Sequence, residues 1–295
     1  MSTFKAEAKK IATASPSNDS RHEEEKVWYL GYGSNMSSKV LSGRRQVFPV
    51  ESLPVVVKGY QLTFDMAGLP YWEPGFGTIQ PVNTKSNSAD HIIADGLDST
   101  DASKRRLLDG IARNEYSAKE GERMPDCQAG SPLHCIAHLI TRKEMDHIIN
   151  TEGGNGHPDF GYQVVEVECQ TYDGKPITGV TLIDKDTRLT RRHPSARYHK
   201  ILLDGAAEHG LSPEYIERLA AIMPYTASTF GQKTGKWAML VIGLPLALPV
   251  IISSMAALIF KVKVPLIMAA YGEWTKRVLW TLHDYVFAPI FGAGC

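Results

Sequence analysis

Residues 28–36 read WYLGYGSNM, and the change of character inside that stretch decides how the chain is folded. Val27, Trp28, Tyr29 and Leu30 make a short aromatic and aliphatic run that suits a buried strand. Gly31 and Gly33 permit backbone angles or close approaches that a Cβ would block. Ser34 and Asn35 can bond to nearby backbone and stabilise a turn. Two readings of the turn are open: an ordinary strand ending, or a loop whose exposed amides hold an anionic ligand.

Working outward, the composition narrows the choice of function. The chain has 295 residues, of which 43% are hydrophobic, enough for one or two domains with a substantial core. Lys plus Arg equals Asp plus Glu at 32 each, so charge offers no argument for a polyanionic partner. No Cys/His cluster at zinc spacing and no basic recognition helix is visible, so a nucleic-acid partner is not expected. Cys127, Cys135, Cys169 and Cys295 are too widely spaced to read as a disulfide framework. Residues 1–26 lack the apolar central run of a secretory signal and read as a flexible tail.

The C-terminal part differs in kind. Trp237 through Phe260 is a run of 24 residues without a charge, long enough to cross a bilayer as a helix despite Pro245 and Pro249. Lys233 and Lys236 precede it, and Lys261 and Lys263 follow. Val264–Tyr271 is too short to span alone and suits a re-entrant or interfacial hairpin with the first run. Residues 277–291 mix apolar and charged side chains, as an interface helix does. A membrane is therefore an expected partner, with residues 227–295 as the membrane-associated region; the alternative is a buried helical hairpin in a soluble domain.

Between tail and membrane region, strands come first and helices later, an α+β order. Pro54–Phe64 carries a Val-rich run followed by alternation; Gly68 and the Pro70, Pro74, Gly75 and Gly77 set mark a loop, and Gly77–Val82 resumes a strand. Residues 83–132 are polar and discontinuous, with one short helix expected at Ser103–Ala112. His134–Ile140 reads as a strand feeding a helix. Thr141 is its N-cap, Glu144 closes a capping box, and Ile140 and Met145 form a hydrophobic staple. Gly153 and Gly154 end the helix and leave Glu152 in or just after its last turn. A carboxylate there meets the unfavourable end of the helix dipole unless something offsets it. The residue is then either a proton carrier or an exposed acid at a fraying end.

Further on, Tyr162–Cys169 is a strand, Asp173-Gly174 its hairpin turn, and Ile177–Ile183 its return. Ser195 caps a helix with Tyr198, Ile201, Leu202 and Ala206 inward. Ser212 and Pro213 open another, with Ile216, Leu219, Ala220 and Met223 as its apolar stripe. His134 and His138 lie on a strand and make a poor metal pair. Arg191, Arg192 and His193 suit an anion site or a solvated turn. Cys169 and Tyr215 read as packing residues.

Taken in order, GYGSNM (31–36), EPGFGTI (73–79), Thr141–Gly153 ending in Glu-Gly, YQVVEVEC (162–169) and PSARYHKILLDGAAEHGLSPEY (194–215) resemble the gamma-glutamylcyclotransferase family across roughly residues 27–224. The resemblance implies a small mixed β-barrel-like fold with flanking helices, to which this chain adds a hydrophobic helical C-terminal extension. It implies a catalytic domain over 27–226 with an insertion at 83–132, no metal and no organic cofactor. It implies a small gamma-glutamyl substrate, cyclised to 5-oxoproline with release of the attached amino acid, amine or cysteinyl adduct. Glu152 is then the acid/base. Tyr32, Gly33, Ser34 and Asn35 bind substrate with Tyr162, and Tyr198 reaches the cavity.

The insertion and the long 153–161 link leave room for an unusually large leaving group, including a glutathione conjugate from secondary metabolism. The catalytic domain is expected on the cytoplasmic side of a membrane. The alternative of a different class is a noncatalytic, membrane-tethered module that binds gamma-glutamyl compounds.

Overall fold

A computed structural model describes residues 25–82, 131–152, 161–185, 192–260 and 265–295. The N-terminal tail, most of the 83–132 insertion with its expected helix at 103–112, most of the 153–161 link, and Arg191 lie outside the described residues.

Seven strands carry the first part: β1 (Lys26–Gly31), β2 (Glu51–Val57), β3 (Tyr60–Leu69), β4 (Glu73–Pro81), β5 (Leu133–Thr141), β6 (Tyr162–Thr171) and β7 (Pro176–Asp184). Five of them close a barrel in the order β1-β5-β2-β6-β7, while β3 and β4 form a separate two-stranded arm. All barrel pairs are antiparallel except the seam, where Tyr29 of β1 lies parallel to Val180 of β7. The mixed barrel flanked by helices is the expected fold class.

The helices are α1 (Arg142–Thr151), α2 (Ala196–Glu208), α3 (Pro213–Ala220), α4 (Phe230–Phe260), α5 (Leu266–Leu282) and α6 (Ala288–Phe291). α1 starts as its sequence dictates. Thr141 Oγ1 accepts from Glu144 N at 3.3 Å, Glu144 Oε2 accepts from Thr141 N at 2.9 Å, and Ile140 and Met145 are both buried. Met145 and Ile148 press onto Tyr29, Leu41 and Val47, so one end of the barrel is sealed by α1. α2 and α3 begin at Ser195 and Ser212, each accepting from a backbone N–H three residues on. They cover the other side through Tyr198, Leu202, Ala206, Tyr215 and Leu219.

The Val-rich run and the alternation of Pro54–Phe64 fall on two strands, β2 and β3, which part at Gly59 with φ 77°. Two expectations fail here. The Gly68–Gly77 stretch is mostly strand: its glycines serve close approach, since a Cβ on Gly68 would sit 2.0 Å from Glu73 O. In α3, Ala220 and Met223 face solvent, because the helix stops at Ala220. The buried stripe is Tyr215, Leu219 and Ile222.

The C-terminal helices do not stand apart. α4 and α5 run antiparallel, with Gly243 beside Leu279 and Gly272 beside Val250. Their base docks on the β3–β4 arm, where Tyr71 is buried with Met239, Leu279 and Phe287. Tyr71 N donates to Gly294 O and its hydroxyl to Gly292 O, both at 2.7 Å, and Trp280 Nε1 donates to Gly68 O at 3.0 Å. The 277–291 stretch, expected at a membrane interface, thus buries Leu279, Trp280 and Phe287 against protein. Arg192, expected in an anion site or a solvated turn, lies 4.1 Å over the Trp280 ring and donates to Asp65 O. Among the described residues α4 is the one helix long and apolar enough to cross a membrane, over Phe230–Ala256.

Candidate active site

The turn after β1 decides the site. Ser34–Met36 forms a single 3₁₀ turn, and Asn35 and Met36 are buried. Its backbone is held from below by His138 of β5, whose Nε2 lies 3.2 Å from Asn35 O and whose Nδ1 lies 2.8 Å from Ser52 Oγ. Burial, with the nearby His209 ring, pushes the His138 pKa down to about 3. The ring is therefore neutral at pH 7, which suits Nε2–H donating to the carbonyl and Nδ1 accepting from the serine.

This has a measurable consequence. The unfolded chain takes up a proton at His138 below about pH 6.5 and the folded chain does not until about pH 3. Acidification across that window therefore favours unfolding, by about 1.4 kcal/mol per pH unit from this group. Denaturant midpoints of detergent-solubilised protein at pH 7 and pH 5 are expected to fall with acidity, and to fall less for His138→Asn. An equal fall in both proteins would contradict the assignment.

Asn35 uses its whole amide. Its Nδ2 donates to Tyr29 OH at 2.7 Å and to Glu152 Oε1 at 3.1 Å, while Oδ1 accepts from Arg45 Nε at 2.7 Å. Arg45 also pairs through Nη2 with Glu152 Oε1 and donates from Nη1 to Thr151 Oγ1 at 3.0 Å. Glu152 is the C-cap of α1, so its carboxylate faces the negative end of the helix dipole. The Arg45 guanidinium supplies the offset. Both bonds go to Oε1, and Oε2 has no protein partner among the described residues.

Glu152 opens onto a cavity of about 650 Å³. Every expected site residue lines it: Tyr32, Gly33, Ser34 and Asn35 from the turn, Tyr162 from β6 and Tyr198 from α2. Tyr29, Arg45 and Met66 join them and were missed in the sequence. Met66 follows the register break in β3, an irregularity that re-aims a side chain. Burial raises the hydroxyl pKa of all four tyrosines and pushes Tyr198 up to about 12, so each stays protonated at neutral pH. Tyr198 OH accepts from Gly77 N at 3.1 Å. Tyr29 OH accepts from Asn35. Each therefore keeps its own hydrogen to donate. Tyr32 OH donates to Leu182 O, and Tyr162 OH to Met66 Sδ.

Gly33 has φ −110°, so its role is closeness rather than a left-handed angle: a Cβ there would lie 3.1 Å from Tyr198 OH. The remaining candidates are structural. Cys135 and Cys169 are buried, with burial raising both thiol pKa values, and His134 stacks on Tyr215. No three His, Cys, Asp or Glu side chains converge as a metal set among the described residues.

The mixed five-stranded barrel with its flanking helices matches the gamma-glutamylcyclotransferase-like fold. A model of the AIG2-like family matches residues 135–219, from β5 through α3. The gamma-glutamyl cyclotransferase aclK of Aspergillus oryzae is 26% identical over 279 residues, spanning 91% of this chain and 89% of that protein. The gamma-glutamyl cyclotransferase gliK of Claviceps purpurea is 27% identical over 270 residues, 88% of this chain and 99% of that protein. Human gamma-glutamylcyclotransferase is 43% identical over 94 residues, 32% of this chain and 49% of that protein. Relatives so named in fungi and mammals support an enzyme of cyclotransferase type.

Proposed function

We propose that the protein cyclises the gamma-glutamyl group of a small amide to 5-oxoproline and releases the attached amino acid, amine or cysteinyl adduct. The observation that carries this reading is the setting of Glu152: Oε1 is anchored by Arg45 and Asn35, Oε2 has no partner among the described residues, and the residue lines the cavity. The nucleophile is the substrate's own alpha-amine. It attacks the gamma-carbonyl, one C–N bond forms, the amide C–N bond breaks, and no water is consumed.

An intramolecular attack needs the substrate folded and its protons moved. Glu152 takes a proton from the alpha-ammonium and returns one to the departing nitrogen. The Gly33–Asn35 turn offers backbone amides to the alpha-carboxylate. In this reading a hydroxyl of Tyr198 or Tyr29, each with a hydrogen to donate, meets the carbonyl oxygen as charge gathers on it.

Incubating the purified full-length protein with a panel of gamma-glutamyl dipeptides, amines and cysteinyl adducts should release 5-oxoproline from at least one. Binding across the panel without release would favour the noncatalytic module. A second expected result concerns Gly33. Gly33→Val sets two methyls against the Tyr198 hydroxyl and pushes it off Gly77 N–H, so calorimetry should show ligand affinity falling by at least about tenfold. Unchanged affinity in a folded G33V protein would reject the turn as the carboxylate site.

We also propose that the C-terminal hairpin associates with a membrane, with the catalytic domain on its cytoplasmic side. Ile251, Ile252, Met255, Ile259 and Phe260 of α4, with Leu266 and Ile267 of α5, are exposed and apolar at the far end of the hairpin. Both ends of the hairpin sit on the barrel domain, so entry and exit by one membrane face fits this geometry better than a single crossing.

A further inference from the structure

The β3–β4 arm serves the cavity and the C-terminal hairpin at once. Met66 of β3 and Phe76 and Gly77 of β4 line the cavity. Beside them, three backbone positions of the arm are held from the hairpin side. Trp280 of α5 donates from Nε1 to Gly68 O at 3.0 Å. The Arg192 guanidinium, 4.1 Å over the Trp280 ring, donates from Nη1 to Asp65 O at 3.0 Å. Arg192 also lies against Gly75, where an added Cβ would come within 2.8 Å of the Arg192 Cβ.

Each held position adjoins a cavity residue. Asp65 precedes Met66, and Gly75 precedes Phe76. Gly68 seats the Phe76 ring, since a Cβ on it would lie 2.8 Å from Phe76 Cε2. Both side chains then meet tyrosines of the cavity. Phe76 stands perpendicular to Tyr198 with ring centroids 5.2 Å apart, and Met66 Sδ accepts from Tyr162 OH at 2.9 Å. Trp280 itself is buried and is not part of the cavity lining.

We propose that Trp280 and Arg192 are positioning residues for the substrate cavity. The docked hairpin fixes Met66 and Phe76, and through them Tyr162 and Tyr198, in the geometry that binds ligand. A two-stranded arm is marginally stable alone, and a binding group on it keeps its place only where its support is locked. The cation–π contact joins the two supports into one clamp. This rests on the cyclotransferase reading, in which a gamma-glutamyl compound occupies the cavity. Loss of the clamp weakens binding while Glu152, Arg45 and Asn35 stay in place.

The test is calorimetry with gamma-glutamyl-alanine on full-length protein in detergent carrying Glu152→Gln, so that the ligand survives. Adding Trp280→Leu should weaken binding about tenfold. Arg192→Met should do the same, and Arg192→Lys, which keeps a cation over the ring, should lose less. Trp280→Leu and Arg192→Met together should cost little more than either alone, because they break one clamp. Ile177→Ala removes a buried side chain at the opposite end of β7 from the cavity residue Leu182. It should lower the melting temperature and leave affinity unchanged. Unchanged affinity in folded Trp280→Leu protein, an equal loss in Ile177→Ala, or no binding by the parent protein would each overturn the proposal. Release of 5-oxoproline by the unsubstituted protein is scored separately. Release with unchanged affinity in Trp280→Leu removes the clamp and leaves the cyclisation reading; weakened binding without any release does the reverse.

Discussion

Glu152→Gln is expected to lower turnover by roughly 10²-fold or more, the range for loss of a general acid–base group. Gln preserves the shape of the side chain, and its amide oxygen can still accept from Arg45 Nη2 and Asn35 Nδ2, as Glu152 Oε1 does. What changes is the other position, where an NH₂ replaces the oxygen that is to shuttle the proton. The cost should therefore fall on kcat rather than KM. Relief of the unfavourable dipole contact at the C-terminus of α1 offsets part of what is lost with the Arg45 ion pair, and a melting curve checks that E152Q is folded. Wild-type turnover in folded E152Q protein would remove Glu152 from the mechanism.

The second large effect separates the two halves of the chain. Full-length protein is expected to sediment with membranes and to resist alkaline carbonate extraction, because Ile251, Ile252, Met255, Ile259, Phe260, Leu266 and Ile267 expose apolar side chains toward the far end of the α4–α5 hairpin. A chain ending at Thr226 should leave the membrane fraction and keep cyclotransferase activity, since Glu152, Asn35 and Tyr198 all precede the cut. It should also be less stable. Tyr71 loses both its bonds to Gly294 and Gly292 and the cover of Met239, Leu279 and Phe287. Uncovering one such buried aromatic costs about 1.5–3 kcal/mol. Tyr71 has φ 64°, an angle that asparagine tolerates well. Tyr71→Asn in the shortened chain should therefore reduce aggregation. Complete recovery of full-length protein in the aqueous fraction without detergent would refute the membrane claim.

The parts of this architecture that were legible in the sequence are those fixed by neighbours along the chain. The α1 start was readable because a capping box and a staple are local devices. The position of Glu152 followed from that start and the paired glycines. The strand ahead of Gly31, the β6–β7 hairpin and the Ser195 and Ser212 caps were readable for the same reason. The likeness of ordered motifs then pointed to the residues that converge on the cavity.

What was not legible depends on distant encounters. Arg45 is one of two arginines after Gly43, and nothing local says that the second meets a carboxylate more than a hundred residues away. Tyr29 reads as a strand residue until Asn35 folds back onto it. Glycines in β3 and β4 resembled loop residues because their purpose, close contact between backbones, is invisible without the partner strand. The 277–291 stretch is amphipathic in either setting. Whether its apolar face meets lipid or Tyr71 is settled by the hairpin that turns it back.

The central claim is ring closure by the substrate's own amine, and product identity tests it most directly. Full-length protein in detergent is incubated with a gamma-glutamyl compound that it turns over, and 5-oxoproline, glutamate and the released amine are quantified together by mass spectrometry. The account predicts one 5-oxoproline for each amine released, no glutamate, and no reaction when the alpha-amine is acetylated. Glutamate as the product, or release of the amine from the acetylated compound, would contradict it.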